Sequence, residues 1–203
     1  MCAGCDALGI ASYAVTGEKD IAPVYSGLAG QDVAIMVWAD EGVALDHPSI
    51  NADVARSLLG KFQQGIDGKL KELKGTSFVD VSAVLRYQEA HPETQVDPPE
   101  QIAPHLPCTR LIYVEIDSLS LHPGESIDLS RGQAVADVKV IEVGASHAKT
   151  AFQEGSVSAI FPKDSPPEGV YGLSDDMIYS KTVDALTDEI GKIFMTHPSD
   201  DHD

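Results

Sequence analysis

The chain has 203 residues, which suits one domain, and 43% of them are hydrophobic, which is enough for a sizeable core. Acidic residues outnumber basic residues by 32 to 14, giving a formal net charge of −18 at pH 7. A surface this acidic repels nucleic-acid phosphates and anionic lipid headgroups, which argues against nucleic acid as a partner and against direct adsorption to a membrane.

The first six residues, Met1-Cys2-Ala3-Gly4-Cys5-Asp6, carry the pattern at which bacterial lipoproteins are processed and acylated. We therefore predict Cys5 as a lipidation site. This prediction requires a signal peptide encoded upstream of Met1, because only four residues precede Cys5. Without one, the N-terminus is untethered and the protein is cytoplasmic. A metal or redox pair of Cys2 and Cys5 is a further interpretation, although a structural zinc site needs four ligands.

The composition divides the chain into an N-terminus and flexible tether (1–30), one domain (31–196) and an acidic polar tail (197–203). The tether is small and polar, with a short strand around Val24-Tyr25 as an alternative. The apolar run 33–38 predicts a strand covered on both faces. Apolar residues recur every four positions at Val54, Leu58, Phe62, Ile66 and Leu70, which predicts a helix with one buried face. Ser49 or Asn51 is expected to cap this helix at its N-terminus.

Further along, residues 78–85 predict a second strand, and 88–107 a proline-rich loop around a short helix. Residues 111–121, 133–143 and 150–161 predict three strands of an antiparallel meander, with a wide loop at 122–131. A last helix is expected to start at Ser174, with an apolar face formed by Tyr179, Val183, Leu186, Ile190, Ile193 and Phe194.

The element order is therefore β-α-β-α-β-β-β-α. We predict an α+β fold with a mixed sheet, in which the first two strands are parallel and the last three form the meander. The predicted architecture is a two-layer sandwich, with two main helices on one face of a mostly antiparallel sheet.

This order resembles a domain of bacterial cell-envelope proteins. The correspondences are 32–37 as first strand, 79–82 as second, 102–106 before the strand 111–116, and 133–141 after it. The pattern is similar to the N-terminal domain of TolB, to curli-secretion lipoproteins, to lipoprotein activators of penicillin-binding proteins and to auxiliary lipoproteins of envelope transporters. The resemblance implies an envelope location and protein binding, and it transfers no catalytic residue.

Seven histidines are scattered through loops and termini, without the H-x-x-x-H spacing of a helical metal pair. The densest group is His197 to Asp203, which we interpret as a solvated tail rather than a loose divalent-ion site. Ser156 lies within a strand pattern and not at a nucleophile elbow. Acidic pairs at Asp40-Glu41 and Asp175-Asp176 mark the places for a cationic ligand. We predict no catalytic residue, metal or cofactor.

Together these features predict a lipid-anchored cell-envelope protein that faces the periplasm and acts as a non-enzymatic adaptor or accessory subunit. Its expected partner is another envelope protein or a second copy of itself. A free edge of the meander, or the loops 86–107 and 122–131, is expected to meet the partner. The alternative is a soluble domain that binds a small molecule or a metal.

Overall fold

The computed structural model of the chain describes residues 20–124, 128–145 and 147–199. The predicted lipidation site Cys5, its neighbour Cys2 and the tail residue His202 lie outside these residues. Among the described helices, none is both long and apolar enough to cross a membrane.

The centre of the fold is a five-stranded sheet flanked by helices. Its strands are β2 (Asp32–Ala39), β3 (Ser77–Phe78), β4 (Arg110–Ser120), β5 (Gly132–Val143) and β6 (Ala148–Phe161). Two short strands, β1 (Asp20–Ile21) and β7 (His197–Pro198), pair with each other in a separate sheet. The helices are α1 (Glu41–Asp46), α2 (Ile50–Asp67), α3 (Val81–Ala90), α4 (Pro99–Ile102) and α5 (Asp175–Phe194).

The strand order in the sheet is β3-β2-β4-β5-β6. Strand β2 is parallel to both of its neighbours, and β4, β5 and β6 form an antiparallel meander. Apart from the two-residue strands β1 and β7 and the helices α1 and α3, which were not predicted, the elements follow one another in the predicted order. The predicted fold class, α+β with a mixed sheet, is confirmed.

The two long helices, α2 and α5, cover one face of the sheet, as predicted. On α2, Val54, Leu58 and Phe62 are fully buried and belong to the main core together with Ile190 and Phe194 of α5. The ring of Phe62 lies 5.6 Å from that of Phe194, centroid to centroid, in an edge-on contact. The four-residue spacing of the apolar positions therefore identified the buried face of α2 correctly.

The strand predicted over 78–85 is wrong beyond its first residue. Only Ser77 and Phe78 pair with β2, and helix α3 begins at Val81. The Asp80 side chain caps this helix, because its Oδ1 accepts a hydrogen bond of 2.8 Å from the backbone N–H of Ser82. An aspartate that precedes apolar residues at helical spacing favours a helix start over a strand.

Helices α3 and α4 pack on the other face of the sheet, α3 over β2 and α4 against β5 and β6. A second core cluster forms there from the strand residues Ala34, Met36, Leu111 and Tyr113 and the helical residues Val84 and Ile102. This partial third layer was not part of the predicted two-layer sandwich. The β2 end of the sheet is therefore covered on both faces, which explains the continuous apolar run in its sequence.

Residues 20–30, which were assigned to the predicted tether, lie against the domain. Strand β1 pairs with β7, the backbone N–H of Tyr25 donates to the carbonyl of Ile193 at 2.8 Å, and Leu28 is only 1% exposed. The Tyr25 ring also contacts the rings of Phe152 and Phe194. The described chain thus enters the domain beside the C-terminal end of α5.

Candidate functional site

Strand β6 forms one edge of the sheet, since it pairs with β5 on one side and ends the strand order on the other. It has 14 residues, and most of its side chains between Lys149 and Ser158 are exposed. We call the outer side of this strand the β6 edge. An edge strand presents unpaired N–H and C=O groups that can pair with a strand from another protein.

The inner face of β6 is held firmly in place by α5. Phe152 and Val157 are half-buried and pack against the main core, and Ala159 is buried. The predicted edge of the meander is therefore a fixed part of the folded domain and not a loosely attached hairpin. Its backbone groups are presented in a constant geometry, which lowers the entropic cost of binding.

Two bulges divide the β6 edge. Val140 pairs with Phe152 and Ile141 with Thr150, so Ala151 is an extra residue in β6. Val138 pairs with Glu154 and Ala136 with Val157, so Gly155 and Ser156 together face Asp137, whose Oδ1 accepts a hydrogen bond of 2.8 Å from the Ser156 backbone N–H. Bulges interrupt long flat edges and so limit uncontrolled aggregation, and here they leave regularly paired segments at 148–150, 152–154 and 157–161.

The opposite edge of the sheet is closed. Strand β3 pairs with only the first two residues of β2, and beyond it the chain folds back as α3. The side-chain amide of Gln88 on α3 donates from Nε2 to the carbonyl of Val37 at 2.9 Å, and the N–H of Val79 donates to the carbonyl of Val33 at 2.9 Å. These contacts satisfy β2 groups that would otherwise accept a partner strand.

The two loops predicted as partner surfaces differ in structure. Residues 86–107 are largely folded, with the end of α3, the short helix α4 and buried Ile102. In the loop 122–131, described residues contact α5 and the segment before it, because His122 Nε2 lies 3.3 Å from Asp175 Oδ1 at the start of α5 and Ser130 pairs with Val170. Residues 125–127 of this loop lie outside the described part of the chain.

The predicted acidic site at Asp40 borders a cavity of about 350 Å³ at the carboxyl ends of the parallel strands β2 and β4. Burial raises the pKa of Asp117 above its ordinary value, and the neighbouring carboxylates of Asp137, Glu115 and Asp40 raise it further. Lys139 partly neutralises this group, since its Nζ lies 2.7 Å from Glu115 Oε2. A cationic ligand would have to compete with Lys139 for these carboxylates.

Asp40 itself already has a structural role. Its Oδ1 accepts a hydrogen bond of 2.9 Å from the Gly42 N–H, which caps α1. Asp175, at the second predicted acidic pair, faces His122. In the described ranges, no three histidine, cysteine, aspartate or glutamate side chains come together as metal ligands would.

The remaining nucleophile candidates lie in structural positions. Ser156 sits in a bulge of β6 and not at a strand-to-helix turn. Cys108 is half-buried beside the second core cluster. Burial raises the pKa of the Cys108 thiol to about 11, so it is protonated at neutral pH.

No family model and no curated protein sequence matches the chain. Similar solved structures include a PelC dodecamer from Paraburkholderia phytofirmans, with 7% identity over 87% of this chain and 96% of that chain and a TM-score of 0.45. Lipoprotein GNA1162 from Neisseria meningitidis is 11% identical over 78% of this chain and 96% of that chain, with a TM-score of 0.41.

A third similar structure is the hypothetical protein CT253 from Chlamydia trachomatis, 18% identical over 65% of this chain and 73% of that chain, with a TM-score of 0.38. Structural similarities with TM-scores this low carry no argument about function. The resemblance to the TolB N-terminal domain stays a prediction.

Proposed function

We propose that the chain is a lipid-anchored protein of the bacterial cell envelope that acts as a non-enzymatic adaptor. In this proposal Cys5 carries the lipid, the domain faces the periplasm, and the β6 edge receives a strand from an envelope protein or from a second copy of the chain. The observation that carries the proposal is the exposed 14-residue edge strand, opposite an edge that α3 closes.

The net charge of the chain supports the lipid anchor in this proposal. A chain with a net charge of −18 is repelled by anionic lipid, so a covalent anchor is the simplest way to hold it at a membrane. Fourteen residues separate Cys5 from Asp20, the first described residue. A chain of that length spans at most about 50 Å, which would keep the domain close to the bilayer surface.

Strand addition is the mode of binding that the β6 edge favours. Its exposed side chains carry little charge, with Lys149 and Glu154 as the ionisable residues of the strand. Recognition would therefore depend on backbone hydrogen bonds, with specificity from side chains that alternate across the added strand. The regularly paired residues 152–154 lie between the two bulges and are the part of the edge that we expect to pair with the added strand.

The anchor is tested by mass spectrometry of protein expressed from its native locus with the upstream DNA included. We expect the mature chain to begin at Cys5 and to carry acyl mass, and we expect Cys5→Ala to abolish both membrane fractionation and the added mass. An unmodified N-terminus at Met1 would refute the anchor and with it the envelope location.

The β6 edge is tested by photo-crosslinking in cells. A photoreactive residue at Gln153 on the edge is compared with one at Arg86, an exposed position on α3. We expect a specific adduct from Gln153 only, either to one partner or to a second copy of the chain. Equal crosslinking from both positions, or none from Gln153, contradicts the proposal.

A pair of proline variants tests whether the backbone itself makes the contact. Gln153 and Glu154 pair with consecutive residues of β5, so their N–H groups point to opposite sides of β6. One of Gln153→Pro and Glu154→Pro removes a bond to β5 and is unstable, and the other removes only an outward N–H. For this comparison the photoreactive residue is at Ala151, an exposed position of β6. We expect the stable proline variant to lose the adduct that the chain without the proline gives, while keeping its melting temperature.

A further inference from the structure

A second feature of the fold is a groove with a volume of about 470 Å³ at the C-terminal ends of α2 and α5. Its walls come from the last two turns of these helices and from the residues that follow each of them. Leu70, Met195 and Pro198 give the groove apolar surface. Clefts of this size with mostly apolar walls are typical binding sites.

The groove is a preformed part of the folded domain. Gly65 of α2 and Gly191 of α5 both line it, and a Cβ on them would lie 2.8 Å from Sδ and 3.1 Å from Cε of Met195, respectively. The Met195 side chain therefore lies close to the backbones of both helices. The wall that follows α5 is fixed by Glu72, which is only 5% exposed and whose Oε1 accepts a hydrogen bond of 3.0 Å from the Thr196 N–H.

The lysines at the groove are paired with carboxylates. Lys61 forms an ion pair with Asp188, and Lys192 Nζ lies 2.9 Å from Glu189 Oε1. A charged occupant would have to compete with these pairs, and burying a charge against the apolar walls without a partner is costly. The groove therefore favours an uncharged, apolar occupant.

The described part of the chain begins beside this groove. Strand β1 pairs with β7, with Asp20 opposite Pro198 and Ile21 opposite His197, and both of these β7 residues line the groove. Facing residues of an antiparallel pair lie about 5 Å apart. The residues that precede Asp20 therefore start within reach of the groove.

Residues 7–15 form an uncharged and mostly apolar segment within the predicted tether, which is otherwise small and polar. No charged residue occurs between Asp6 and Glu18, although 23% of the chain is charged. Only residues 16–19 separate this segment from β1, and they span at most about 14 Å. Large apolar side chains favour burial over exposure to water. In this segment they are Leu8, Ile10, Tyr13 and Val15.

We propose that residues 7–15 bind in this groove of the same chain, with their apolar side chains against Leu70, Met195 and Pro198. The short connection to β1 favours the chain's own segment over that of a second copy, because it raises the effective concentration of the segment at the groove. The proposal depends neither on a lipid at Cys5 nor on strand addition at the β6 edge, so each can fail alone.

The test is photo-crosslinking of the purified full chain, with benzoylphenylalanine in place of Tyr13. Benzophenones react readily with methionine, so we expect an intramolecular adduct to the peptide that contains Met195. The same replacement of Tyr171, which is 75% exposed, is the matched control. Tyr171 precedes the start of α5, and the 20 residues of that helix separate it from the groove by about 30 Å, so it should give no adduct to this peptide.

Two pairs of substitutions test whether apolar contact holds the segment. Leu8→Asp combined with Ile10→Asp should reduce the adduct from position 13 about tenfold, because two carboxylates are costly to bury in an apolar groove. Ala7→Asp combined with Ser12→Asp adds the same charge but keeps both large apolar side chains, and it should retain most of the adduct. Circular dichroism checks that both variants are folded.

The other possible occupants and locations give different products. Adducts between two chains, adducts spread evenly over the domain, or no adduct would overturn the proposal. The measurement is repeated with vesicles of phosphatidylethanolamine and phosphatidylglycerol, in which the groove adduct should persist. Adducts to lipid in its place overturn the proposal and make residues 7–15 a membrane contact.

Discussion

Gly132, the first residue of β5, marks the closest approach of α5 to the sheet. A Cβ placed on it lies 1.7 Å from Oγ1 of Thr182, 3.0 Å from Cβ of Thr182 and 3.1 Å from Cγ2 of Ile178. Ordinary contacts of this kind are 3.4–4 Å. An alanine at this position therefore requires the Thr182 side chain to turn or α5 to move away from the sheet.

We expect Gly132→Ala to lower the free energy of unfolding by about 2 kcal/mol, within the range for overpacked cores. Thr182→Ala alone should cost about 1 kcal/mol, because its fully buried hydroxyl donates to the carbonyl of Ile178 at 2.7 Å. If the contact with Oγ1 is the cause, the double variant should cost less than the sum of the two by about 1 kcal/mol.

The assay is urea unfolding followed by Trp38 fluorescence. Gly60→Ala in α2 is the matched control, since a Cβ there meets nothing within 4 Å. This control should stabilise the protein by about 0.5–1 kcal/mol, the difference in helix propensity between the two residues. A Gly132→Ala variant as stable as the wild type, or costs that simply add in the double variant, would refute the reasoning.

Asp80→Ala should destabilise the protein by about 1 kcal/mol in urea through loss of the α3 cap, whereas Asp80→Asn should not; equal stability of both refutes the cap. Burial raises the pKa of Tyr179, which donates to Asp53, to about 12. The folded state therefore keeps this proton longer, so stability falls as pH rises from 10 to 12, and Tyr179→Phe should flatten that slope. Cys108, with its pKa near 11, should react with a disulfide reagent at pH 8 about a hundredfold more slowly in the folded than in the unfolded protein, measured without the N-terminal cysteines. Equal rates would contradict its burial.

Much of the fold was predictable because its strongest signals are periodic and local. The run 33–38 is buried on both faces in β2, and the apolar stripe of α2 faces the core. Ser174 caps α5 as predicted, since the N–H of Met177 donates to its Oγ at 3.3 Å. Ser49 does not cap α2 in this way; its hydroxyl instead donates to Asp53 Oδ2 at 2.7 Å.

The segment 78–85 shows where local pattern fails. Val79, Val81 and Leu85 fit an alternating strand, while Val81, Val84 and Leu85 fit a helix equally well. The cap at Asp80 and the buried amide of Gln88 on β2 decide between them. The second of these contacts joins residues 51 positions apart, so no local pattern contains it.

The functional candidates differ in how much of each could be predicted from the sequence. An exposed edge of the meander was predicted, but the end of the strand order at β6 was visible only in the structure. Trp38, Asn51 and Gln88, which line one cavity, come from β2, α2 and α3. Asparagine, glutamine and tryptophan at unrelated positions have no spacing that predicts a shared cavity, because only the tertiary fold brings them together.

The two ends of the sheet differ in structure. At the β2 end, helices pack on both faces, β3 pairs with the first two residues of β2, and the Gln88 amide donates to the carbonyl of Val37. At the β6 end, α5 packs on one face, the Thr150 hydroxyl donates to Glu100 of α4, and two bulges interrupt the outer backbone edge. A domain that only needed stability would gain from covering both edges, because an open edge promotes aggregation. The exposed edge at β6, opposite the edge that β3 and α3 cover, is therefore the observation that supports the proposed partner.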